Sequence, residues 1–387
     1  MKKLAIITTH PIQYYAPVFK LLQERNLISI KVFYTLGETS DPKPDPGFAK
    51  NISWDIPLLD GYDFEWLVNT SDSPGSHHFK GIITPGGIGQ IQKYKPDAIL
   101  VFGWAYQSHL QIIKHFNAKL PVYFRGDSTL LNEKPGIKNS LRYVFLRWVY
   151  TKISHAFYVG ENNKAYYKKF GLGESQLSFA PHAIDNDRFD ADRSVEAGEL
   201  RSSLNIAEQE ILILYAGKFE PVKNVEVLLK AFMALNRQNV HLLLTGNGPE
   251  EKKLKTLVAG SDSLRHIHFI DFKNQSYMPV LYQAADLFCL PSKSESWGLS
   301  INEAMACGTA ILASDKVGCA VDLIKIGENG ATFRSGDINN LERNLRQLTN
   351  SKSQLVKFGQ QSKFIIRSWD FLNIATAIEN KLINEAT

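Results

Sequence analysis

The sequence predicts an α/β fold made of two doubly wound domains, each built on a parallel sheet. Short apolar stretches alternate with helical patterns in both halves of the chain, which is typical of strands buried under helices on both faces. The chain has 387 residues, enough for two such domains with full cores. Its content of 44% hydrophobic and 21% charged residues is typical of a globular protein.

Five continuous apolar stretches predict the strands of the first domain, at residues 4–9, 28–35, 98–103, 122–125 and 156–159. Helical spacing predicts helices between them, at residues 15–25, 108–116 and 138–151. Ligands of such sheets bind in the crevice at the carboxyl ends of the strands. Any one residue that follows a strand could equally be a structural turn residue. The residues nominated by this rule are His10, Gln13, Gly103, Trp104, Arg125, Gly126 and Asp127.

Two long irregular segments, residues 37–61 and 72–78, interrupt the alternation of strands and helices. Long loops in compact domains often serve as lids or binding loops, and flexible surface excursions are the equally common alternative. The sequence leaves both interpretations open.

The helix predicted at residues 138–151 has an apolar side flanked by basic residues. A helix lying on a membrane surface has this pattern, and so does a core helix with a basic outer face. The stripe is no wider than a domain helix needs, so we expect a core helix. Its apolar members are Leu141, Val144, Phe145, Trp148 and Val149, and its basic neighbours are Arg142, Arg147 and Lys152.

The formal net charge of +5 is concentrated in the first half of the chain. Residues 1–185 contain 21 Lys and Arg against 15 Asp and Glu, a net +6, and the remainder has a net −1. The basic half is therefore expected to meet an anionic surface or a phosphate-bearing acceptor, although an excess of this size is also common without such a partner.

Three cysteines in apolar surroundings and an N-terminal apolar run too short for a signal peptide favour a reduced, cytoplasmic setting. No stretch is long and apolar enough to span a membrane. We expect a cytoplasmic protein that could also lie at the inner face of a membrane.

The second half predicts a second parallel sheet. Its strands are expected at residues 211–217, 240–246, 267–270, 287–290 and 310–313, and its helices at residues 225–235, 250–258 and 277–284.

Two glutamates with seven residues between them, Glu295 and Glu303, flank the predicted start of a helix near residue 300. Gly298 would begin this helix and Gly308 would end it, since glycine commonly follows a last helical turn. Glu295 would then lie in the preceding loop and Glu303 within the helix.

The start of this helix would present unpaired N–H groups at Gly298, Leu299 and Ser300, and such an end attracts phosphate. A pyrophosphate bound there would leave Glu303 near a ribose and Glu295 near the group on the far phosphate.

The segment E-S-W-G-L-S-I-N-E, followed by A-M-A-C-G, resembles the E-x7-E signature of retaining glycosyltransferases of the GT-B fold, the family-four (group 1) type. Further motifs are similar to those of this family. They are Gly217-Lys218 with Lys223 and Asn224 for the family's G-R-x-x-x-x-K-G, the turn from Gly246 to Pro249, the strand end Ile270-Asp271-Phe272, the junction at 178–189, and Ser368-Trp369-Asp370 for the S-W-E tail.

The resemblance implies two Rossmann-like domains that face a cleft, with a C-terminal helix crossing back to the first domain. The domains would be 1–185 for the acceptor, 186–367 for the nucleotide-sugar donor, and 368–387 for the returning helix. Donor-side residues of the family map onto Gly217, Lys218, Lys223, Gly246, Asp271, Phe272, Glu295, Gly298, Leu299, Ser300 and Glu303.

The chain departs from the family at several positions. Lys218 stands for an arginine, which keeps a phosphate-binding charge but loses the bidentate geometry. The family's acceptor-domain histidine has no clear counterpart, because Arg125-Gly126-Asp127 follows the relevant strand. His10 and Asp127 are therefore the acceptor-side candidates.

The expected function is retaining transfer of a sugar, most simply from a UDP-sugar, to a glycan or lipid-linked acceptor in bacterial surface polysaccharide synthesis. The nucleotide-sugar is a substrate, and no cofactor, metal or nucleic acid is expected. The D-x-D at Asp185 and Asp187 is explained by the domain junction, so no metal is assigned to it. A membrane contact through the basic first domain is part of this expectation. The alternatives are a GT-B epimerase or hydrolase and a non-catalytic nucleotide-sugar-binding subunit.

Overall fold

The computed structural model describes residues 1–38, 44–45, 50–51, 54–133 and 136–384. The chain divides into two compact units. The first unit contains Met1–Asp41, Pro57–His182 and Asp370–Thr387, and the second contains Pro42–Ile56 and Ala183–Trp369. Beyond residue 57, the chain passes to the second unit after residue 182 and returns to the first after residue 369.

A parallel sheet forms the centre of the first unit, and seven of its strands lie in the described residues. They are β1 (Lys3–Thr8), β2 (Ser29–Tyr34), β3 (Phe64–Trp66), β4 (Ala98–Phe102), β5 (Val122–Arg125), β6 (His155–Tyr158) and β7 (Leu177–Phe179). Their order across the sheet is β3-β2-β1-β4-β5-β6-β7, and every neighbouring pair is parallel. A separate two-stranded antiparallel ladder joins Pro44–Asp45 to Lys50–Asn51.

Helices make five of the connections between consecutive strands, since parallel strands need a crossover. They are α1 (Ala16–Arg25), α2 (Gly87–Tyr94), α3 (Gln107–Phe116), α4 (Ile137–Tyr150) and α5 (Glu161–Lys169). The central strands are continuous apolar runs because both faces of the sheet are covered; Ile6 and Leu100, for example, are fully buried. The predicted alternation of strands and helices is confirmed in this unit.

The second unit repeats the doubly wound arrangement. Its described strands are β8 (Ile211–Ala216), β9 (Val240–Thr245), β10 (Ile267–Ile270), β11 (Leu287–Leu290), β12 (Ala310–Ser314) and β13 (Gly330–Phe333), in the order β10-β9-β8-β11-β12-β13. Its described helices are α6 (Asn186–Asp190), α7 (Ser194–Ser203), α8 (Val225–Leu235), α9 (Glu251–Val258), α10 (Met278–Ala284), α11 (Leu299–Ala306), α12 (Ala320–Leu323), α13 (Ile338–Leu348) and α14 (Lys352–Ile366).

The last helix, α15 (Phe371–Ile383), belongs to the first unit, whereas Trp369 belongs to the second. Asp370 caps α15, because its Oδ1 accepts a hydrogen bond from the Asn373 N–H at 2.8 Å. The buried Glu379 of α15 forms an ion pair with Arg25 of α1, with 2.8 Å between Oε2 and Nη2. This pair fixes α15 against α1.

The expectation of a core role for the apolar side of α4 is wrong. Leu146, Val149 and Tyr150 are buried, but they lie on the opposite side of the helix from most of the predicted stripe. Leu141 is 69% exposed and Val144 is 67% exposed. The helix therefore has two apolar sides, and periodicity alone does not tell which one meets the core.

Part of the predicted excursion at residues 37–61 lies outside the described residues, and its role stays untested. Three short strands, β3, β7 and β13, were not predicted from the sequence. Each has only three or four residues, too few for a clear apolar pattern.

A buried histidine, His109 of α3, joins two loops at the carboxyl edge of the first sheet. Its Nε2 lies 2.8 Å from Thr35 Oγ1, and its Nδ1 lies 2.9 Å from the Gly103 carbonyl oxygen. Burial lowers the pKa of His109 to about 4. The folded protein therefore holds the neutral imidazole.

Because the pKa of His109 is lower in the folded chain than in the unfolded one, its contribution to stability is complete above about pH 6.5 and is lost as the pH falls towards 4. Between pH 7 and pH 4, we expect the unaltered protein to lose about 3 kcal/mol more unfolding free energy than His109→Gln, which retains hydrogen-bonding groups. Urea unfolding at several pH values measures this. The exposed His77→Gln is the control, and equal pH profiles for His109→Gln and the unaltered protein would contradict the prediction.

Candidate functional site

The predicted donor-side residues of the second unit follow four neighbouring strands at one edge of the sheet. The strand order reverses between β8 and β11, since β9 lies on one side of β8 and β11 on the other. In open α/β sheets, ligands bind outside the carboxyl ends of the strands at this reversal. The residues at these ends are Gly217 and Lys218 after β8, Gly246 after β9, Asp271 and Phe272 after β10, and Glu295 after β11.

An ion pair connects the two loops that flank the reversal. Lys223 Nζ lies 2.6 Å from Glu295 Oε2, and both side chains are about one fifth exposed. Ser292 Oγ also donates to Glu295 Oε2, at 3.2 Å. The structure thus brings together two residues that are 72 positions apart and holds a cation and an anion beside the strand-order reversal.

Backbone packing holds the loop that carries Glu295. The Glu295 N–H donates to the Lys316 carbonyl oxygen at 3.0 Å, and the Gly318 N–H donates to the Glu295 carbonyl oxygen at 3.1 Å. A Cβ on Gly318 would lie 1.8 Å from the Ser296 carbonyl oxygen. The loop after β12 can therefore support Glu295 only because residue 318 is glycine.

Helix α11 begins as predicted. Gly298 precedes it with a φ of 102°, a left-handed conformation that favours glycine, and Gly308 follows it with a φ of 77°. Since Gly298 offers no side chain as a cap, the N–H groups at Leu299 and Ser300 begin the helix without an intrahelical acceptor. This end of α11 lies four residues after Glu295.

A tryptophan pair lies beneath this loop. The indole Nε1 of Trp297 donates to Asn302 Oδ1 at 2.9 Å, and the rings of Trp297 and Trp369 are 5.2 Å apart between centroids. Trp369 of the S-W-D tail therefore packs against the E-x7-E segment within the second unit.

Glu303 lies inside α11, where it is only 3% exposed. The Tyr282 hydroxyl donates to its Oε2 at 2.8 Å. A buried carboxylate needs such partners, because burial without hydrogen bonds is costly. The sequence placed Glu303 in the helix but did not reveal this tyrosine.

The glycines at the strand ends allow backbones to approach each other closely. A Cβ on Gly246 would lie 2.0 Å from the Gly217 carbonyl oxygen, and one on Gly248 would lie 2.7 Å from the Phe219 nitrogen. Tyr215 donates its hydroxyl hydrogen bond to the Lys218 carbonyl oxygen at 2.7 Å. These contacts fix the loop from which Lys218 and Lys223 project.

A buried asparagine, missed by sequence reasoning, orders the end of β10. Asn247 Oδ1 accepts a hydrogen bond from the Phe272 N–H at 3.0 Å. Its Nδ2 donates to Asp271 Oδ1 at 3.1 Å and to Glu251 Oε2 at 3.0 Å. The signal in the sequence was an asparagine between two glycines, G-N-G, directly after a buried strand.

The aspartates near the junction have structural partners. Asp185 caps α6, since its Oδ1 accepts a hydrogen bond from the Arg188 N–H at 3.1 Å. A second D-x-D follows, in which Asp190 pairs with Lys363 and Asp192 Oδ1 accepts from the Ser194 N–H at 2.9 Å. Among the described residues, no group of three or more acidic, histidine or cysteine side chains is arranged to hold a metal ion.

In the first unit, Arg125 is a buried structural residue. Its Nη1 donates to the Ala180 carbonyl oxygen at 2.7 Å, and its Nη2 donates to the Pro181 carbonyl oxygen at 2.8 Å. Arg125 therefore fixes the chain directly before residue 182, where the first unit ends. Its position at the carboxyl end of β5 had indicated only a possible ligand-binding residue.

The acceptor-side candidates His10 and Asp127 follow β1 and β5 at the same edge of the first sheet. His10 Nδ1 forms a hydrogen bond with Thr9 Oγ1 at 2.9 Å, and burial lowers the pKa of His10. Burial and the Asp127 charge raise the pKa of Tyr15 to about 12. The ring of Tyr15 stacks on that of His182, with 5.9 Å between centroids.

Burial and the neighbouring Arg125 charge lower the pKa of His182 to about 3, against the opposing effect of Asp127. Sequence reasoning missed Tyr15 and His182 as members of this cluster. His182 lies in the junction motif at 178–189, and the sequence assigned it no role of its own.

Comparison with known proteins agrees with this arrangement. Residues 196–364 match the family described as glycosyl transferases group 1. An uncharacterized glycosyltransferase of Methanocaldococcus jannaschii is 30% identical over 163 residues, which are 42% of this chain and 42% of that protein. The chain spans about half the length of the curated relatives it matches, from 37% to 60%.

Two solved structures share the fold over nearly the whole chain. Sucrose-phosphate synthase from Thermosynechococcus elongatus has a TM-score of 0.75 at 18% identity and covers 98% of both chains. HepE from Anabaena, in complex with UDP and glucose, has a TM-score of 0.72 at 17% identity and covers 99% of this chain and 100% of its own. The predicted GT-B fold is confirmed, and residues 196–364 are similar to the family of glycosyl transferases group 1.

Proposed function

We propose that this protein is a glycosyltransferase that moves a sugar from a nucleotide-sugar donor to a saccharide acceptor, with retention of the anomeric configuration. The observation that carries the proposal is the Lys223–Glu295 ion pair, 2.6 Å long, at the strand-order reversal of the second sheet and beside the start of α11. A cation, a carboxylate and a helix N-terminus at one place suit a sugar bound through a diphosphate.

The departing nucleoside diphosphate gains negative charge as the bond to the sugar breaks. Lys218 and Lys223, which follow β8, and the N–H groups at Leu299 and Ser300, which begin α11, would stabilise that charge. Glu295 would accept hydrogen bonds from sugar hydroxyls, and Glu303 from the ribose. Attack by the acceptor on the same face of the sugar would retain configuration, and this needs no protein nucleophile.

Catalysis without a metal is part of the proposal. The positive charge at the leaving phosphate would come from the two lysines and α11. The support is that Asp185 of the D-x-D caps α6 through its Oδ1, which gives this carboxylate a structural role.

A UDP-sugar is the first donor to test. The support is a structural neighbour, HepE, which was solved in complex with UDP and glucose. Asp271 and Phe272, ordered by Asn247, would contact the base.

The acceptor is proposed to be a glycan or a lipid-linked saccharide of bacterial surface polysaccharide synthesis. His10 and Asp127 would meet it at the edge of the first sheet. A lipid-linked acceptor would bring the basic first unit to a membrane on its cytoplasmic side. No described helix is long and apolar enough to cross a membrane.

Incubation with a nucleotide-sugar alone separates this proposal from its alternatives. An epimerase changes the sugar without an acceptor, and a hydrolase releases free sugar at full rate. A non-catalytic binding subunit binds the nucleotide but forms no product with any acceptor. A transferase gives a new glycoside whose yield depends on the acceptor, and nuclear magnetic resonance of that glycoside reports the anomer.

We expect Glu303→Gln to weaken nucleoside diphosphate binding by about tenfold to a hundredfold, because a charged acceptor of ribose hydroxyl hydrogen bonds is lost. Tyr282→Phe is the matched control, since it removes the 2.8 Å hydrogen bond to Glu303 and keeps the Glu303 carboxylate. Titration calorimetry measures both. Equal affinities for the two variants would show that Glu303 is a structural partner of Tyr282 and not a donor ligand.

We expect Lys218→Met and Lys223→Met each to lower kcat by roughly a hundredfold or more, the scale of removing one donor that stabilises developing charge. Lys252→Met, an exposed lysine of the same unit, should retain full activity. The unaltered enzyme should be fully active in excess chelator. Activity that chelator abolishes and manganese or magnesium restores would contradict the assignment of this charge to the lysines.

A further inference from the structure

Helix α4 presents an uncovered apolar face to solvent. Its exposed large apolar residues recur at helical spacing along the whole helix. They are Ile137, Leu141, Val144, Phe145 and Trp148. At about 100° per residue, these five side chains lie within an arc of about 100°, while the buried Leu146, Val149 and Tyr150 lie on the far side. Apolar side chains that line one exposed face in this way mark an interaction surface.

The charge around this face has one sign. The sequence of α4, IKNSLRYVFLRWVY, contains three basic residues and no acidic one. Lys138 and Arg142 lie on one flank of the apolar arc and Arg147 on the other. The acidic side chain of Glu133 pairs with Arg142 at 3.7 Å and with Lys169.

Two lysines from outside α4 extend the basic rim. The ammonium groups of Lys114 and Lys152 lie 5.8 Å and 5.9 Å from the ring centroid of Trp148. A tryptophan that lies between apolar side chains and lysines is typical of residues at a membrane–water interface.

Charge decides between the possible occupants of the face. A second copy of the chain docked through the same face would bring two basic rims together, and like charges in contact oppose association. A bilayer containing anionic lipids offers hydrocarbon to the apolar arc and negative charge to its rim.

We propose that the face of α4 formed by Ile137, Leu141, Val144, Phe145 and Trp148 docks on the surface of an anionic lipid bilayer. The helix would lie in the plane of the interface, with Lys138, Arg142 and Arg147 at the level of the headgroups. These residues would form the membrane contact that is included in the proposed function.

The docking face is continuous with the candidate acceptor edge. The ring of Phe145 is 5.5 Å from that of Trp104, which follows β4 between the strands that precede His10 and Asp127. A saccharide on a membrane lipid would therefore reach this edge from the docked surface. That consequence rests on the proposed function, whereas docking itself does not.

Vesicle flotation of the full chain tests the docking without any sugar transfer. We expect binding to vesicles of phosphatidylcholine and phosphatidylglycerol in equal parts, weaker binding in high salt, and little binding to phosphatidylcholine alone. Leu141→Gln/Val144→Gln should reduce the partition coefficient by about tenfold or more, since these side chains would lose burial in the interface. Lys138→Glu should reduce it by about fivefold or more.

The matched control is Val356→Gln/Phe364→Gln, which alters two exposed apolar residues of α14 in the second unit. Its vesicle binding should equal that of the unaltered protein. The inference is overturned if the unaltered protein does not bind anionic vesicles, or if both double variants bind equally well. It is also overturned if sedimentation shows a dimer that Leu141→Gln/Val144→Gln dissociates. Transfer of sugar to a soluble acceptor should be the same for both double variants, so a failure of docking leaves the proposed activity standing.

Discussion

The ion pair between Lys223 and Glu295 is the interaction on which the site in the second unit depends. It joins the loops after β8 and β11, the two strands between which the sheet order reverses, and so holds opposite charges at one end of the crevice. Formation of this 2.6 Å ion pair reduces the conformational freedom of both side chains. The two side chains are therefore ordered before any ligand binds. A cation that is already in place would stabilise the negative charge that develops on a leaving phosphate better than one that must be recruited during the reaction.

Much of this site was predictable from the sequence, because its parts are local. Short sequence motifs predict the start of α11 at Gly298, the glycine turns after β8 and β9, and the spacing of the two glutamates. What the sequence could not reveal are contacts between distant segments. Tyr282 beneath Glu303 and Gly318 against the Glu295 loop are such contacts, since neither belongs to the motif that it supports.

The fold shows the same division between pattern and tertiary context. Continuous apolar runs predicted the long central strands of both sheets within one or two residues, because strands covered on both faces have no polar alternation. Helix α4 was misassigned for a physical reason: it has an apolar side towards the core and a second one towards solvent. Periodicity detects an apolar side but carries no information about what covers it. The roles of Arg125 and His182 depend likewise on burial, which composition does not reveal.

The central claim is that the carboxyl edge of the second sheet binds a nucleoside diphosphate. Amide hydrogen exchange with and without UDP, and then with ADP and GDP, tests it most directly because the label is read along the whole chain. The account predicts slower exchange in residues 217–224, 246–249 and 295–303 with at least one of these nucleotides, and Lys223→Met should abolish that protection. Protection confined to the first unit, or protection of the second unit that Lys223→Met and Glu303→Gln leave unchanged, would contradict it.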